Sequence, residues 1–151
     1  MKQNQILNCY KIISGITIAY GIATILATIL LSISLVRGYD MHGGFDGMNL
    51  LFFPFFLLII IGLAVIALGC AAFVIIVGVL GFNYARSPTS HDRIVLIILA
   101  SINMFVIHGS GVLVTLALTN GSSPIGVLNT FSLVISILLL VGSIVTDVRQ
   151  G

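Results

Sequence analysis

His108 lies in the middle of a long apolar run between Ile94 and Leu118. An ionisable side chain in such a setting is by default a functional-site candidate, because charge at bilayer depth is expensive. An imidazole can relay protons or bind a ligand. If the run is a helix, Ser101, Met104, Gly111 and Thr115 share the face of His108, a stripe of mostly small or polar residues. Asn129, Ser132, Ser136 and Ser143, in the last apolar run, offer hydrogen bonds to that face. No carboxylate lies within any apolar run, and no second histidine shares that depth. A hydrogen-bonded packing histidine is therefore the plainer expectation, and a transport, proton or ligand role the sharper one. Asn103 falls on another face of the same run and is expected to act as interhelical glue.

A second set of chemical groups sits between the first two apolar runs. Tyr39, Asp40, His42 and Asp46 lie on a glycine-rich backbone with Phe45 and two methionines. Two carboxylates and one histidine are metal-ligand types, but without a second cluster they make a weak site. No metal is expected there. A solvated connector is the plain expectation, and a partner-recognition loop built on Tyr39, Asp40, His42 and Asp46 the more specific one. Ser110 lies two residues from His108, yet no carboxylate in the run can orient that histidine as a base. There is no phosphate-binding glycine loop, no Cys-x-x-Cys pair and no pair of carboxylates for acid–base work. These absences point away from an enzyme and from a cofactor. Cys9 near the start and Cys70 deep in the second run are poorly placed to pair. Asn120-Gly-Ser matches a glycosylation sequon, but it lies so close to an apolar run that modification is not expected.

The elements that must carry these residues follow from composition. Of the 151 residues 59 % are hydrophobic and 7 % charged, with a mean hydropathy of +1.26. Soluble domains carry about 25 % charged residues. The charges are Lys2, Lys11, Arg37, Arg86, Arg93, Arg149, Asp40, Asp46, Asp92 and Asp147, all outside the apolar runs or at their ends. The net charge of +2 comes from those flanks and does not call for a nucleic-acid partner. Four runs, Ile12–Val36, Leu51–Phe82, Ile94–Leu118 and Ile125–Val145, each reach the roughly 20 residues that cross a bilayer as a helix. Strand alternation is absent, so helices alone can satisfy the backbone in lipid. The first run is much longer than the about 7–15 apolar residues of a signal peptide, so it is expected to remain as a span. Ser123-Pro124 reads as a helix start, and Thr89 or Ser90 can cap the third helix with Asp92 in its first turn.

The second run is overlong. At 1.5 Å per residue Leu51–Phe82 makes a helix of about 48 Å. Splitting it into two spans would place two of the Lys/Arg residues inside and four outside. Four spans place Lys2, Lys11, Arg86, Arg93 and Arg149 inside and only Arg37 outside, which the positive-inside rule prefers. Helix two is then tilted, projecting or bent near Pro54, and both termini face the cytoplasm. Tyr10 and Tyr84 are expected as interface markers on the inner side, and Tyr39, Phe52, Phe53, Phe55 and Phe56 on the outer side.

On the first helix Gly15, Ala19, Ala23 and Ala27 recur every four residues, with Thr17, Thr24, Thr28 and Ser32 mostly on neighbouring faces. Small residues at this spacing let helix backbones approach closely. They would serve packing within the chain or docking of another copy or another protein. The sequence thus predicts an all-α polytopic membrane protein: one domain, a four-helix bundle with an overlong second helix, at home in the lipid bilayer of a plasma or inner membrane. It is expected to be a non-enzymatic accessory, scaffold or regulatory subunit, partnered by another integral membrane protein or by copies of itself. The alternative is a small oligomeric transporter or channel, using the polar faces around His108, Ser101, Thr115, Asn129 and Ser136.

Overall fold

The computed structural model describes residues 2–42, 47–109 and 124–146, and side chains within 4–37, 52–108 and 130–146. Among these residues there is no strand. Helix α1 is Lys2–His42 and α2 is Gly47–Arg86. Helix α3, Ser90–Ile102, passes directly into a π-helical segment, Asn103–Gly109. Helix α4 is Pro124–Val145. Three stretches, Asn4–Arg37, Phe52–Arg86 and Ser90–His108, are long and apolar enough to cross a membrane, and Thr130–Val145 adds a shorter apolar helix. The chain is an all-α, four-helix membrane protein.

The second helix is overlong, as its apolar run predicts, and it is continuous through Pro54. The first is equally long, at 41 residues against 40. At 1.5 Å per residue each measures about 60 Å, roughly twice a hydrocarbon core. Hydropathy marks only the part of a helix that lipid requires to be apolar. The more polar segments Lys2–Asn8 and Arg37–His42 extend α1 beyond its apolar run. The Arg37–Asn49 connector is therefore helical at both of its ends.

Local chemistry explains the helix starts. Thr89 Oγ1 accepts a hydrogen bond from Asp92 N at 3.2 Å and donates one to Asp92 Oδ2 at 2.6 Å, capping α3 with an acid in its first turn. Pro124 opens α4, where its missing N–H costs nothing.

The contacts divide the chain into two compact units. The first comprises Met1–Tyr20 and Phe73–Gly151, the second Gly21–Ala72. In the first, Tyr10, Val77, Tyr84, Leu96, Ala100 and Leu139 form the buried core. Glycine brings its helices together. A Cβ at Gly78 would stand 2.7 Å from Ile18 Cγ1 and 3.1 Å from Ser14 O, and one at Gly81 only 2.6 Å from Ser14 Oγ. A Cβ at Gly142 would run into the Tyr10 ring at Cδ2. Here α1 lies against α2 and α4 at distances that a methyl group forbids. The guanidinium of Arg93 joins the start of α3 to the end of α4, donating from Nε to Ser143 O at 3.2 Å and from Nη2 to Ile144 O. Those carbonyls lie in the last turn of α4, where a cation is favoured.

The second unit is a pair of helical segments. Gly21, Ile60 and Ala71 are its only buried residues among those described. Leu30, Leu31, Phe55, Leu58, Val65 and Ile66 are exposed, as lipid contact requires. Its hydroxyls close on their own helix: Thr28 Oγ1 donates to Thr24 O and Ser32 Oγ to Thr28 O, both at 2.8 Å. This i to i−4 bonding lets Ser and Thr enter an apolar medium.

The glycines supply a direct test. Gly81→Ala and Gly142→Ala should each destabilise the protein by about 1–3 kcal/mol through overpacking. Gly62→Ala and Gly69→Ala, where a Cβ meets nothing within 4 Å, should be neutral or stabilising by up to about 1 kcal/mol through helix propensity. Thermal unfolding in detergent reads both pairs.

Candidate functional site

Polar side chains concentrate inside the first unit. Ser14, Thr17, Asn103, His108, Ser132, Ser136, Ser143 and Thr146 are all buried, beside Tyr10 and Tyr84. Lipid cannot hydrate such groups, so a helix bundle turns them inward. Helix α4 supplies the regular part of the seam. Ser132, Ser136, Leu139, Ser143 and Thr146 recur at spacings of three and four and form its inner face.

Helix α3 supplies the irregular part, through its π-helical turn. In an α-helix residues five apart point in different directions, but a π-helix bonds i to i+5 and aligns them. Asn103 and His108 are five apart across this segment, and both are buried. The sequence reading put Asn103 on a different face from His108; the π-helical stretch corrects this by rotating both inward. Its expected role as interhelical glue is seen directly. Asn103 Nδ2 donates to Ser136 Oγ at 3.0 Å, joining α3 to α4. The other amide atom, Asn103 Oδ1, is buried with no hydrogen-bond partner among the described residues.

His108 is 6 % exposed and meets Tyr20 of α1 edge to face, with ring centroids 5.7 Å apart. Ser101, expected beside it, is half-buried, and its Oγ donates to Ile97 O at 2.7 Å within its own helix. Ser136 is thus brought into the seam, but to Asn103. Thr115 lies outside the described residues, as does the Asn129 side chain. The same holds for Asp46 and for the side chains of Tyr39, Asp40 and His42, although the backbone of those three continues α1.

Among the described residues, the small-residue stripe on α1 makes no close contact. Ala19, Ala23 and Ala27 are exposed, and a Cβ on half-buried Gly15 would meet nothing within 4 Å. The face that turns inward is Ser14, Thr17 and Gly21, continued by half-buried Thr24, Thr28 and Ser32. Thr17 Oγ1 donates to Ile13 O at 2.9 Å and so carries no unmet hydrogen bond inward.

Sequence reasoning missed the tyrosines. Read as interface markers, Tyr10 and Tyr84 are instead buried, each 1 % exposed, with ring centroids 5.9 Å apart at 81°. An amphipathic ring at a helix end suits both a bilayer surface and a wet interior, so position alone does not separate them. The signal that bears on Tyr10 is Gly142, where a Cβ would run into its ring. Tyr10 Oη, Tyr84 Oη and Ser14 Oγ have no hydrogen-bond partner among the described residues, a cost of about 1–3 kcal/mol each if left unmet. Among the described residues no cluster of His, Cys or Asp is suited to hold a metal. No protein-family model, curated protein or solved structure matches the chain.

The Asn103–Ser136 bond is open to a double-mutant cycle. Asn103→Leu and Ser136→Ala should couple by about 0.6 kcal/mol, the average for hydrogen bonds between membrane helices, and by about 1.7 kcal/mol at most. Unfolding of both single variants and the double variant in detergent measures it, and additive effects would mean that the bond contributes nothing.

Proposed function

We propose that the chain is a non-enzymatic subunit of a larger membrane complex, docked to its partner through the outward face of α1. One observation carries this reading. At about 100° per residue, Gly15, Ala19, Ala23 and Ala27 lie about 170° around α1 from the Ser14, Thr17, Gly21, Thr24, Thr28 and Ser32 face. Packing within the chain uses the second face and leaves Ala19, Ala23 and Ala27 exposed. Large side chains serve lipid contact well, whereas a row of small ones favours the close approach of another backbone. The partner is another integral membrane protein or a second copy of this chain. With the Asn83–Arg93 connection and both termini inside, the cytoplasmic flanks hold Lys2, Lys11, Arg86, Arg93 and Arg149 against Arg37 outside.

The buried seam favours a second reading, a small oligomeric transporter or channel. Asn103, His108 and Ser136 would line its pathway, with Tyr20 against the imidazole. The closure of Thr17, Ser101, Ser143 and Thr146 on their own helix carbonyls weighs against it, since satisfied hydroxyls serve packing.

Ala23→Leu and Ala27→Leu should abolish copurification of the partner, or self-association, in mild detergent while leaving the unfolding temperature unchanged. Intact association in both variants would remove the α1 face from the proposal. Reporter fusions after Gly151 and within Ser87–Ser90 should both read cytoplasmic. For the second reading, purified protein in liposomes would show uptake or current that changes between about pH 5 and 8 and is lost in His108→Ala.

A further inference from the structure

Three buried hydroxyl-bearing residues, Tyr10, Ser14 and Tyr84, lie in the core of the first unit. Tyr10 and Ser14 stand one turn apart on α1, and Tyr84 stands one turn beyond Gly81 on α2. Ser14 is 0 % exposed, and Tyr10 and Tyr84 are 1 % each. Two of the hydroxyls converge on a single point. The Cβ position of Gly81 lies 2.6 Å from Ser14 Oγ and 3.4 Å from Tyr10 Oη. The Tyr84 ring packs edge to face on the Tyr10 ring. None of the three hydroxyls has a hydrogen-bond partner among the described residues. Ser143 Oγ lies beside Tyr10 Oη and donates its own proton to Leu140 O at 2.7 Å.

Buried hydroxyls almost always have partners, and where the protein supplies none an ordered water commonly does. We infer that Tyr10, Ser14 and Tyr84 form a hydration site inside the bundle, holding water that bridges their hydroxyls. The chemistry fits water better than an ion. Each group both donates and accepts, the cluster holds no carboxylate or cation, and a buried water needs two to four such partners. A cavity of about 210 Å³ is lined by Asn83, Tyr84, Ser87 and Asp92 together with Leu80, Val95 and Leu96. Tyr84 lines this cavity and also packs on Tyr10, so it connects the cavity wall to the core. This site depends on neither functional reading, since a packing subunit and a transporter would both contain it.

Water-edited solid-state NMR on the full chain in liposomes, with labelled tyrosine and leucine, tests this. Magnetisation from water should reach the ring carbons of Tyr10 and Tyr84 well before the methyls of Leu139, which is equally buried in the same core. Transfer to the tyrosines as slow as to Leu139 would overturn the inference. In Ser14→Ala the transfer to Tyr10 should slow towards that of Leu139, and an unchanged rate would overturn the three-hydroxyl site. Should that variant not fold, the comparison within the wild-type chain decides alone.

Discussion

The packing of Tyr10 against Gly142, with Ser14 against Gly81 beside it, is the constraint on which the core of the first unit depends. Gly142 leaves room for the ring on α4, and Gly81 leaves room for its hydroxyl and that of Ser14 on α2. Tyr84 closes the arrangement edge to face. Between helices in lipid there is little hydrophobic gain, because acyl chains are as apolar as leucine. What holds helices together is close contact and interhelical hydrogen bonding. A large ring set into a gap that only glycine leaves supplies the first; the Asn103–Ser136 bond and the Arg93 contacts to Ser143 and Ile144 supply the second.

A second consequence of lipid is that polar groups must face inward or satisfy themselves locally. Both solutions occur here. Thr17, Thr28, Ser32 and Ser101 bond to carbonyls one turn back. Asn103 cannot do this with its whole amide, and the π-helical turn brings it to Ser136. The same turn brings His108 inward to Tyr20. A local irregularity in one helix thus sets the polar content of the interior, and α4 answers it with a face of serines.

The class of the protein was plain in the sequence because lipid dictates it: long apolar runs, charges only at their ends, and no alternation. The Thr89–Asp92 cap and the proline start at Pro124 were legible for the same kind of reason, each depending on residues close in sequence. What was not legible is which side of each helix faces in. A helix that is apolar all round carries little directional signal, so the spacing of Gly15, Ala19, Ala23 and Ala27 fits packing within the chain as well as docking of a partner, and nothing local marks Ser14, Thr17 and Gly21 as the buried face. The π-helical turn at Asn103 has no sequence signature, and it buries both Asn103 and His108, which α-helical spacing puts on different faces. The positions of Tyr10 and Tyr84 at helix ends suggest interface markers, while the Tyr10 ring fits against Gly142 on another helix and Tyr84 packs on that ring. Long-range steric fit leaves little mark on local pattern.

The central claim, that Gly142 is required because Tyr10 fills the space beside it, is tested most directly by a cycle on those two residues. Gly142→Ala should lower the unfolding temperature of the wild-type chain in detergent. In a Tyr10→Ala background, where the ring is gone, the same substitution should be neutral or raise it, because only helix propensity then remains. An equal destabilisation by Gly142→Ala in both backgrounds would contradict the claim and place the cost of the added methyl somewhere other than the Tyr10 ring.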